Sequence, residues 1–348
     1  MTELVVTNLN RNFTGVSSTA ARVLGVQRHR YDAVLCGTAL PGCPDPVGVR
    51  EAWRLTREAP AGKPFAIWHV RRNNEMRAAL FGRDVLRLPI RIVFTSAGTH
   101  RHSAFPRWLM SRMDALIATI PAAAEGKPHV RAVVPHGVDC TVWHPAEDRA
   151  AAWAATGFPG TRGVAAVGRI RSSKGTDRFV EIMLRVLPRQ PDLTALVLGK
   201  AQPQHQGFLD GLKRKVETAG LADRLLFPGE IGPDAMPALV RALSLTVPVP
   251  RYEPYGMTPL EGMASGVPFV GSTAGNFRAF AEGEEAGLVV EEAELIEEAA
   301  SRIDALLSDP PRHAEMSRRA RERAVELHSI EAEADGIGRV YEELWAEG

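Results

Sequence analysis

Short apolar runs alternate with longer amphipathic stretches along almost the whole chain. In the first half, LVVTNL, DAVLCG, PFAIWH, IRIVFTS, DALIAT and VRAVVP are such runs, which predicts parallel strands with helix-length segments between several of them. The second half repeats the pattern with GVAAVG, LTALVLG, RLLFPG, LSLTVPV, VPFVGS and AGLVV as strands. Helices are expected there over 176–187, 205–219, 259–264 and 293–307. This alternation predicts an α/β protein made of two doubly wound, Rossmann-like units. Two closing helices, near 311–327 and 331–346, follow the last strand, and no repeat or low-complexity segment interrupts the chain.

Length supports the division, because 348 residues exceed what one core usually organises. The seam is expected near 140–160, where HGVDCTVWHP ends one unit and ATGFPGTRG opens the next. That gives a first domain over 1–148 and a second over 149–330, facing each other across an interdomain cleft. The last helix, about 331–348, is expected to pack back on the first domain.

Composition changes this picture little, being that of an ordinary soluble protein without an uncharged apolar stretch long enough to span a bilayer. The amino-terminal MTELVVTNLN reads as a first strand and not as a signal peptide, so a cytoplasmic location is expected. Cys36, Cys43 and Cys140 are odd in number and lack the spacing of a disulfide framework or a zinc site. Charge is more informative. Residues 1–145 hold 19 Lys and Arg against 10 Asp and Glu, a net of +9, so the whole-chain +1 leaves 1 − 9 = −8 for the remainder. A basic front half suits an acidic partner: a phosphorylated substrate, an anionic membrane surface or nucleic acid.

Chemistry concentrates in RYEPYGMTPLEGMASGVPFVGS, residues 251–272. Thr258, Pro259 and Glu261 fit the N-cap, N1 and N3 positions of a capping box, which would account for Glu261 structurally. A helix start after a strand's carboxyl end is also where open α/β sheets bind phosphate, here through Gly256, Met257 and Thr258. Glu253 and Glu261 on either side cannot bind that phosphate. They suit hydroxyl groups, so the expected ligand carries sugars on both sides of its phosphates.

VGRIRSSKG, residues 167–175, follows the first strand of the second unit. Its Gly168, Arg169 and Lys174 lie on a short loop whose cations can neutralise a diphosphate leaving group, or form a merely solvated basic loop. Gly15, in FTGVSSTAARVL, precedes a Ser/Thr cluster that can cap the first helix, and no GxGxxG accompanies it. Between 69 and 112 nine arginines face only two acids, Glu75 and Asp84, a balance that suits an acidic acceptor. His69, Arg71, Arg72, Asn73, Asn74, His100, Arg101 and His102 are the acceptor candidates, with core histidines and solvated helix faces as the structural alternative. No DxD, HExxH or paired Cys/His spacing points to a metal, and no aromatic platform points to nucleic acid.

HGVD (136–139), the GR…KG set of Gly168, Arg169, Lys174 and Gly175, and EPYGMTPLE (253–261) together resemble the retaining glycosyltransferases of family 4, which have the GT-B fold. The resemblance implies a nucleotide-sugar donor, with Glu261 on the ribose, Glu253 on the transferred hexose, and Arg169 and Lys174 on the diphosphate. It also implies backbone N–H groups offered by Gly256, Met257 and Thr258, and Gly15 near the phosphates. WHVRRNNEM and FTSAGTHRHSAFPRWLMSRMDALIAT resemble the lipopolysaccharide core mannosyltransferases, which implies GDP-mannose as donor and the Kdo of Kdo–lipid A as acceptor. Many family members carry a histidine at the strand end that here reads Thr95–Ser96, leaving His69, His100 or His102 to supply its function. The expected activity is metal-independent, retaining hexosyl transfer without a cofactor, at the inner face of the inner membrane. Another NDP-hexose donor with an acidic glycolipid, a nucleotide-sugar epimerase and a non-catalytic nucleotide-sugar sensor are the alternatives.

Overall fold

The computed structural model describes residues 2–98 and 103–348, and all twelve expected strands are present. His100, Arg101 and His102 lie outside the described residues. The chain packs as two compact units, Met1–Gly137 with Leu327–Gly348, and Val138–Glu326.

In the first unit β1 (Leu4–Asn8), β2 (Ala33–Gly37), β3 (Ala66–Val70), β4 (Ile90–Ser96), β5 (Ala115–Ala118) and β6 (Val130–Val133) form one parallel sheet in the order β2-β1-β3-β4-β5-β6. Strands buried on both faces need apolar side chains at successive positions, which explains the unbroken runs. Leu4 and Val6 of β1 pack with the helix Gly15–Gln27 and with the last helix, Ile330–Glu347, on one face. Val5 points the other way, into a core shared with the helices Asn73–Leu80 and Ala104–Ser111. The sheet is therefore a middle layer between two layers of helices.

The second unit orders β7 (Arg162–Val167), β8 (Leu193–Leu198), β9 (Leu225–Gly229) and β10 (Leu245–Thr246) as β10-β7-β8-β9, all parallel. β11 (Val270–Gly271) and β12 (Leu288–Val289) pair with each other, and a bridge between Thr246 and Phe269 continues the sheet towards them. These last three strands are shorter than their apolar runs. Pro248, Pro250 and Pro268 have no N–H to give a ladder, although the carbonyls of Pro248 and Pro268 still accept from Ser272 and Thr246.

The units divide at 137/138 and not at 148, because residues 138–148 are bonded into the second unit. Arg321 donates to the carbonyls of Cys140 and Trp143, and Arg241 donates to the Val142 carbonyl. The HGVD motif thus straddles the division. On its first-unit side, Glu333 accepts from the Gly137 N–H at 2.7 Å and pairs with His136 Nδ1 at 2.9 Å. This clamp holds the start of the last helix, which Ser329 caps by accepting the Ala332 N–H. Farther along, Ile337, Tyr341, Leu344 and Trp345 enter the core, and the Trp345 indole N–H donates to the Phe65 carbonyl at 2.9 Å. Among the described residues no helix is long and apolar enough to cross a membrane.

Gly137 tests this clamp, since a Cβ there would lie 2.4 Å from the Ser329 carbonyl oxygen. Gly137→Ala is expected to destabilise the protein by roughly 1–3 kcal/mol, the usual cost of forcing packed backbone apart. The check is a denaturant or thermal unfolding curve, and an unchanged midpoint would rule out the tight packing.

Candidate functional site

Strand order places the candidate motifs. In the second unit the chain proceeds from β7 outward to β8 and β9, then returns to β10 on the other side of β7. Order therefore reverses between β7 and β10, and a ligand crevice forms at the carboxyl ends of such a strand pair. VGRIRSSKG is the loop after β7, and EPYGMTPLE lies in the loop and helix after β10. The two motifs, 79 residues apart at Lys174 and Glu253, become neighbours.

Their contact is built by backbone. Gly168 ends β7 at φ 146°, and Gly175 takes φ 71° ahead of the helix Thr176–Val186. A Cβ on Gly175 would sit 1.9 Å from the Val249 carbonyl oxygen, so only glycine admits that approach. The Ser173 carbonyl accepts the Arg251 and Tyr252 N–H groups at 3.1 and 3.4 Å, and both terminal nitrogens of Arg251 reach Asp177, at 2.8 and 2.6 Å. Held in this way, Lys174 Nζ stands 2.6 Å from Glu253 Oε2, with both side chains partly exposed. Arg169, exposed on the same loop, forms no ion pair among the described residues.

The helix after β10 begins earlier than its T-x-x-E pattern suggested. It runs Met257–Ala264, and its N-cap is Gly256 at φ 111°, ψ 62°. Thr258 is then the second helical residue, Pro259 the third and Glu261 the fifth, so the capping box is absent. The left-handed Gly256 starts the helix against the Phe277 ring, which a Cβ would meet at 2.3 Å. Proline is tolerated at the third position because first-turn N–H groups have no intrahelical partner. Among the described residues no side chain caps this end, and no acid lies in the first turn. The Met257 and Thr258 N–H groups thus belong to a helix start suited to an anion. With the capping role removed, the position of Glu261 one turn farther along has no helix-start explanation.

A supporting turn, STAGN at 272–276, escaped the sequence reading. Gly275 has φ 58°, a Cβ there would lie 2.5 Å from the Tyr255 carbonyl oxygen and 3.2 Å from Glu253 Cγ, and the Asn276 N–H donates to the same carbonyl. Glycine in a Ser/Thr/Asn turn directly after VPFVGS was the available signal.

In the first unit the order reverses between β1 and β3. Three of the five described acceptor candidates, His69, Arg72 and Asn74, are engaged internally. Glu75 is fully buried and accepts from Thr7 Oγ1, the Leu9 and Arg71 N–H groups, and Arg72 Nη1, at 2.7–3.1 Å. Arg72 also donates to Asn8 Oδ1, Thr14 Oγ1 and Ser17 Oγ, and Asn74 donates to the Leu9 carbonyl. Arg72 and Asn74 lock the loop after β1 to the helix starting at Gly15, whose N-cap is Thr14. Gly15 has open space where a Cβ would stand, and Asn73 is exposed.

His69 is a core residue. It is fully buried, with Nδ1 bonded to the Tyr341 hydroxyl and Nε2 to Thr95 Oγ1 at 2.7 Å. Both ring nitrogens are committed, which removes it as an acceptor ligand and as the stand-in for the strand-end histidine. Burial, helped by the nearby Arg71 charge, holds its pKa well below the usual histidine range. Arg71 is buried too, yet its guanidinium nitrogens have no hydrogen-bond partner among the described residues, and burial lowers its pKa. The rest of the arginine-rich stretch divides: Arg83 and Arg91 pair with Asp114, Arg112 pairs with Asp84, and Arg77, Arg87 and Arg107 are exposed without an ion pair among the described residues.

Comparison with known proteins decides the family. Residues 153–323 match the model of glycosyl transferases group 1. The chain is 39% identical over 98% of its length to the lipopolysaccharide core biosynthesis mannosyltransferase LpsB of Rhizobium meliloti, covering 97% of that protein. This chain is a group 1 glycosyltransferase. The glycosyltransferase is also 37% identical over 98% of its length to the corresponding LpcC of Rhizobium leguminosarum, covering 96% of it. HepE of Anabaena, solved with UDP, shares the GT-B fold at a TM-score of 0.80 over 98% of this chain and 100% of that one, with 16% identity.

Two outcomes follow from this geometry. Glu253→Gln removes the charge facing Lys174, and a partly exposed pair contributes at most about 1 kcal/mol, so stability should change little. Transfer should fall on the order of 100-fold, the size of loss when one preorganised polar contact to a transition state is removed; a lowered melting temperature with normal turnover would assign the pair to folding alone. His69 generates the second. Its folded pKa is depressed, so the unfolded state takes up a proton that the buried imidazole refuses, and stability falls as pH drops below about 6.5. His69→Gln should flatten that part of the stability–pH curve, and identical slopes in the two proteins would show that His69 titrates freely.

Proposed function

We propose that this glycosyltransferase moves mannose from GDP-mannose to the Kdo of a Kdo–lipid A inner core, with retention of configuration. The observation that carries the reading is the Lys174–Glu253 pair beside a helix start with no side-chain cap. The names of the two long relatives support the mannosyl group and the lipopolysaccharide core.

In this reading the donor diphosphate takes the Met257 and Thr258 N–H groups, with Arg169 and Lys174 as counter-charges. Gly168 and Gly256 allow the backbone to come close. Glu261 receives the ribose hydroxyls, and Glu253 the hydroxyls of the hexose. The acceptor hydroxyl attacks the anomeric carbon on the face the phosphate leaves. The carbon–phosphate oxygen bond breaks with its electron pair going to the diphosphate, which takes the acceptor's proton. Charge growing on the diphosphate is offset by Arg169, Lys174 and the helix start, so the reaction needs neither a metal nor a cofactor. Arg71, buried and without a side-chain hydrogen bond among the described residues, supplies a planar fork for the acceptor's carboxylate. The proposed location is the inner face of the inner membrane, where such a lipid-linked acceptor is presented.

The test combines thermal shift over GDP- and UDP-sugars with transfer to Kdo–lipid A. GDP-mannose should give the largest rise in melting temperature, by mass action on the native state. An α-mannosylated lipid product should follow. Isomerised sugar without acceptor would indicate an epimerase, binding without any transfer would indicate a sensor, and turnover with a UDP-hexose alone would overturn the donor assignment.

A further inference from the structure

Three neighbouring strands of the second unit run into glycine at their carboxyl ends, and the loops beyond them are laced together. Gly168 after β7, Gly199 after β8 and Gly229 at the end of β9 have φ 146°, 149° and 91°. The Gly168 N–H donates to the Leu198 carbonyl at 2.9 Å, the Gly199 N–H to the Gly229 carbonyl at 2.8 Å, and the Ile170 N–H to the Lys200 carbonyl at 3.1 Å. A Cβ on Gly199 would lie 2.0 Å from the Gly168 carbonyl oxygen, so any side chain there would force the two loops apart. On Gly168, by contrast, a Cβ would meet nothing within 4 Å, which leaves open space at the end of β7.

This lacing sets Lys200 opposite Arg169. Val167 pairs with Leu198 in the sheet, and the Ile170 to Lys200 bond repeats the same register two residues farther on. Opposed residues of neighbouring strands share a face and lie about 4.8 Å apart, so the two cations stand side by side. Both are exposed, and neither forms an ion pair among the described residues. Glu230, the acid that follows Gly229 on the next loop, forms none either. Lys174 differs, because Glu253 at 2.6 Å already offsets its charge. Two uncompensated cations beside an open strand end suit an anionic group, and one carrying more charge than Arg169 alone would match.

We propose that Lys200 binds the donor diphosphate together with Arg169, taking the phosphate farther from the transferred sugar. The inference rests on the reading that a sugar diphosphate occupies this crevice. Strand order β10-β7-β8 supplies the direction: Glu253, on the β10 side, faces the hexose, and Lys200 lies on the opposite side of Arg169. Negative charge grows on the phosphate released from the sugar, beside Lys174. Lys200, one phosphate away, holds the bound donor and the transition state alike, so it governs donor affinity and leaves bond breaking to the other groups. A single lysine in GKAQPQ carries no motif, which is why sequence patterns pass it over.

The experiment is calorimetric titration of the full chain with GDP and with UDP, alongside donor kinetics, for the unaltered protein and for Lys200→Met, Lys200→Arg and Lys213→Met. Lys200→Met should weaken binding of the nucleoside diphosphate about tenfold, the size of one lost charge-assisted contact, and make that binding less sensitive to salt. KM for the donor should rise by a similar factor while kcat stays within about twofold and the melting temperature is unchanged. Lys200→Arg should keep most of the affinity, and Lys213→Met, the same charge change on the exposed side of the helix Gln206–Thr218, should alter neither quantity. Unaltered binding by Lys200→Met in a chain that does bind a nucleoside diphosphate would overturn the role of Lys200 and leave the donor reading standing. Equal weakening by Lys213→Met, or a fall in kcat without a rise in KM, would overturn it as well. Failure of the unaltered chain to bind either nucleotide would overturn the donor reading, and this inference with it.

Discussion

The second unit depends on a backbone approach that only a residue without a side chain allows. Gly175, in its left-handed conformation, lies against the Val249 carbonyl, and a methyl group there would have to displace main chain. That approach brings the loop after β7 onto the segment after β10, lets Ser173 accept two N–H groups from that segment, and sets Lys174 beside Glu253. Gly256 and Gly275 repeat the device on the other side of the same turn, against Phe277 and Tyr255. The glycines of these motifs therefore bring Lys174 and Glu253 together before any ligand arrives, an arrangement that keeps reorganisation small.

The first unit uses a similar reversal of strand order with a different filling. Where the second unit leaves a bare helix start, the first has Thr14 as a cap and a fully buried Glu75 that collects donors from Thr7, Leu9, Arg71 and Arg72. The network fixes the loop after β1 but commits most of the polar groups near it. Arg71 stands apart, because its main-chain N–H is bonded while its guanidinium is not. Burying that group without a partner is costly, and this is why the proposed contact with an acceptor carboxylate falls on it.

Much of this was legible in the sequence, for physical reasons. Interior strands of a doubly wound sheet are buried on both faces and read as apolar runs, the edge strand β6 kept enough of that pattern to be read with them despite its exposed Arg131, and the loops after β7 and β10 could be recognised from their glycines and charges. The helix start was misread because T-x-x-E describes a capping box only if Thr258 lies outside the helix, and a left-handed Gly256 places it inside. His69 and Arg72 looked like members of one acceptor face because neighbours in sequence share a charge pattern. Burial separates them: His69 lies on a strand of the middle layer, Arg72 turns inward to Glu75, and Arg107 remains outside. The division at 137/138 was hidden because HGVD contributes His136 and Gly137 to one unit while Val138 begins the other.

A double-mutant cycle on transfer rate at low donor concentration tests the central claim, that Lys174 and Glu253 act as one unit on the sugar-diphosphate. Each alanine variant alone should be strongly impaired, and the double variant should lose clearly less than the product of the two single losses. Losses that multiply as for independent sites, or a single variant that transfers at the unaltered rate, would contradict it.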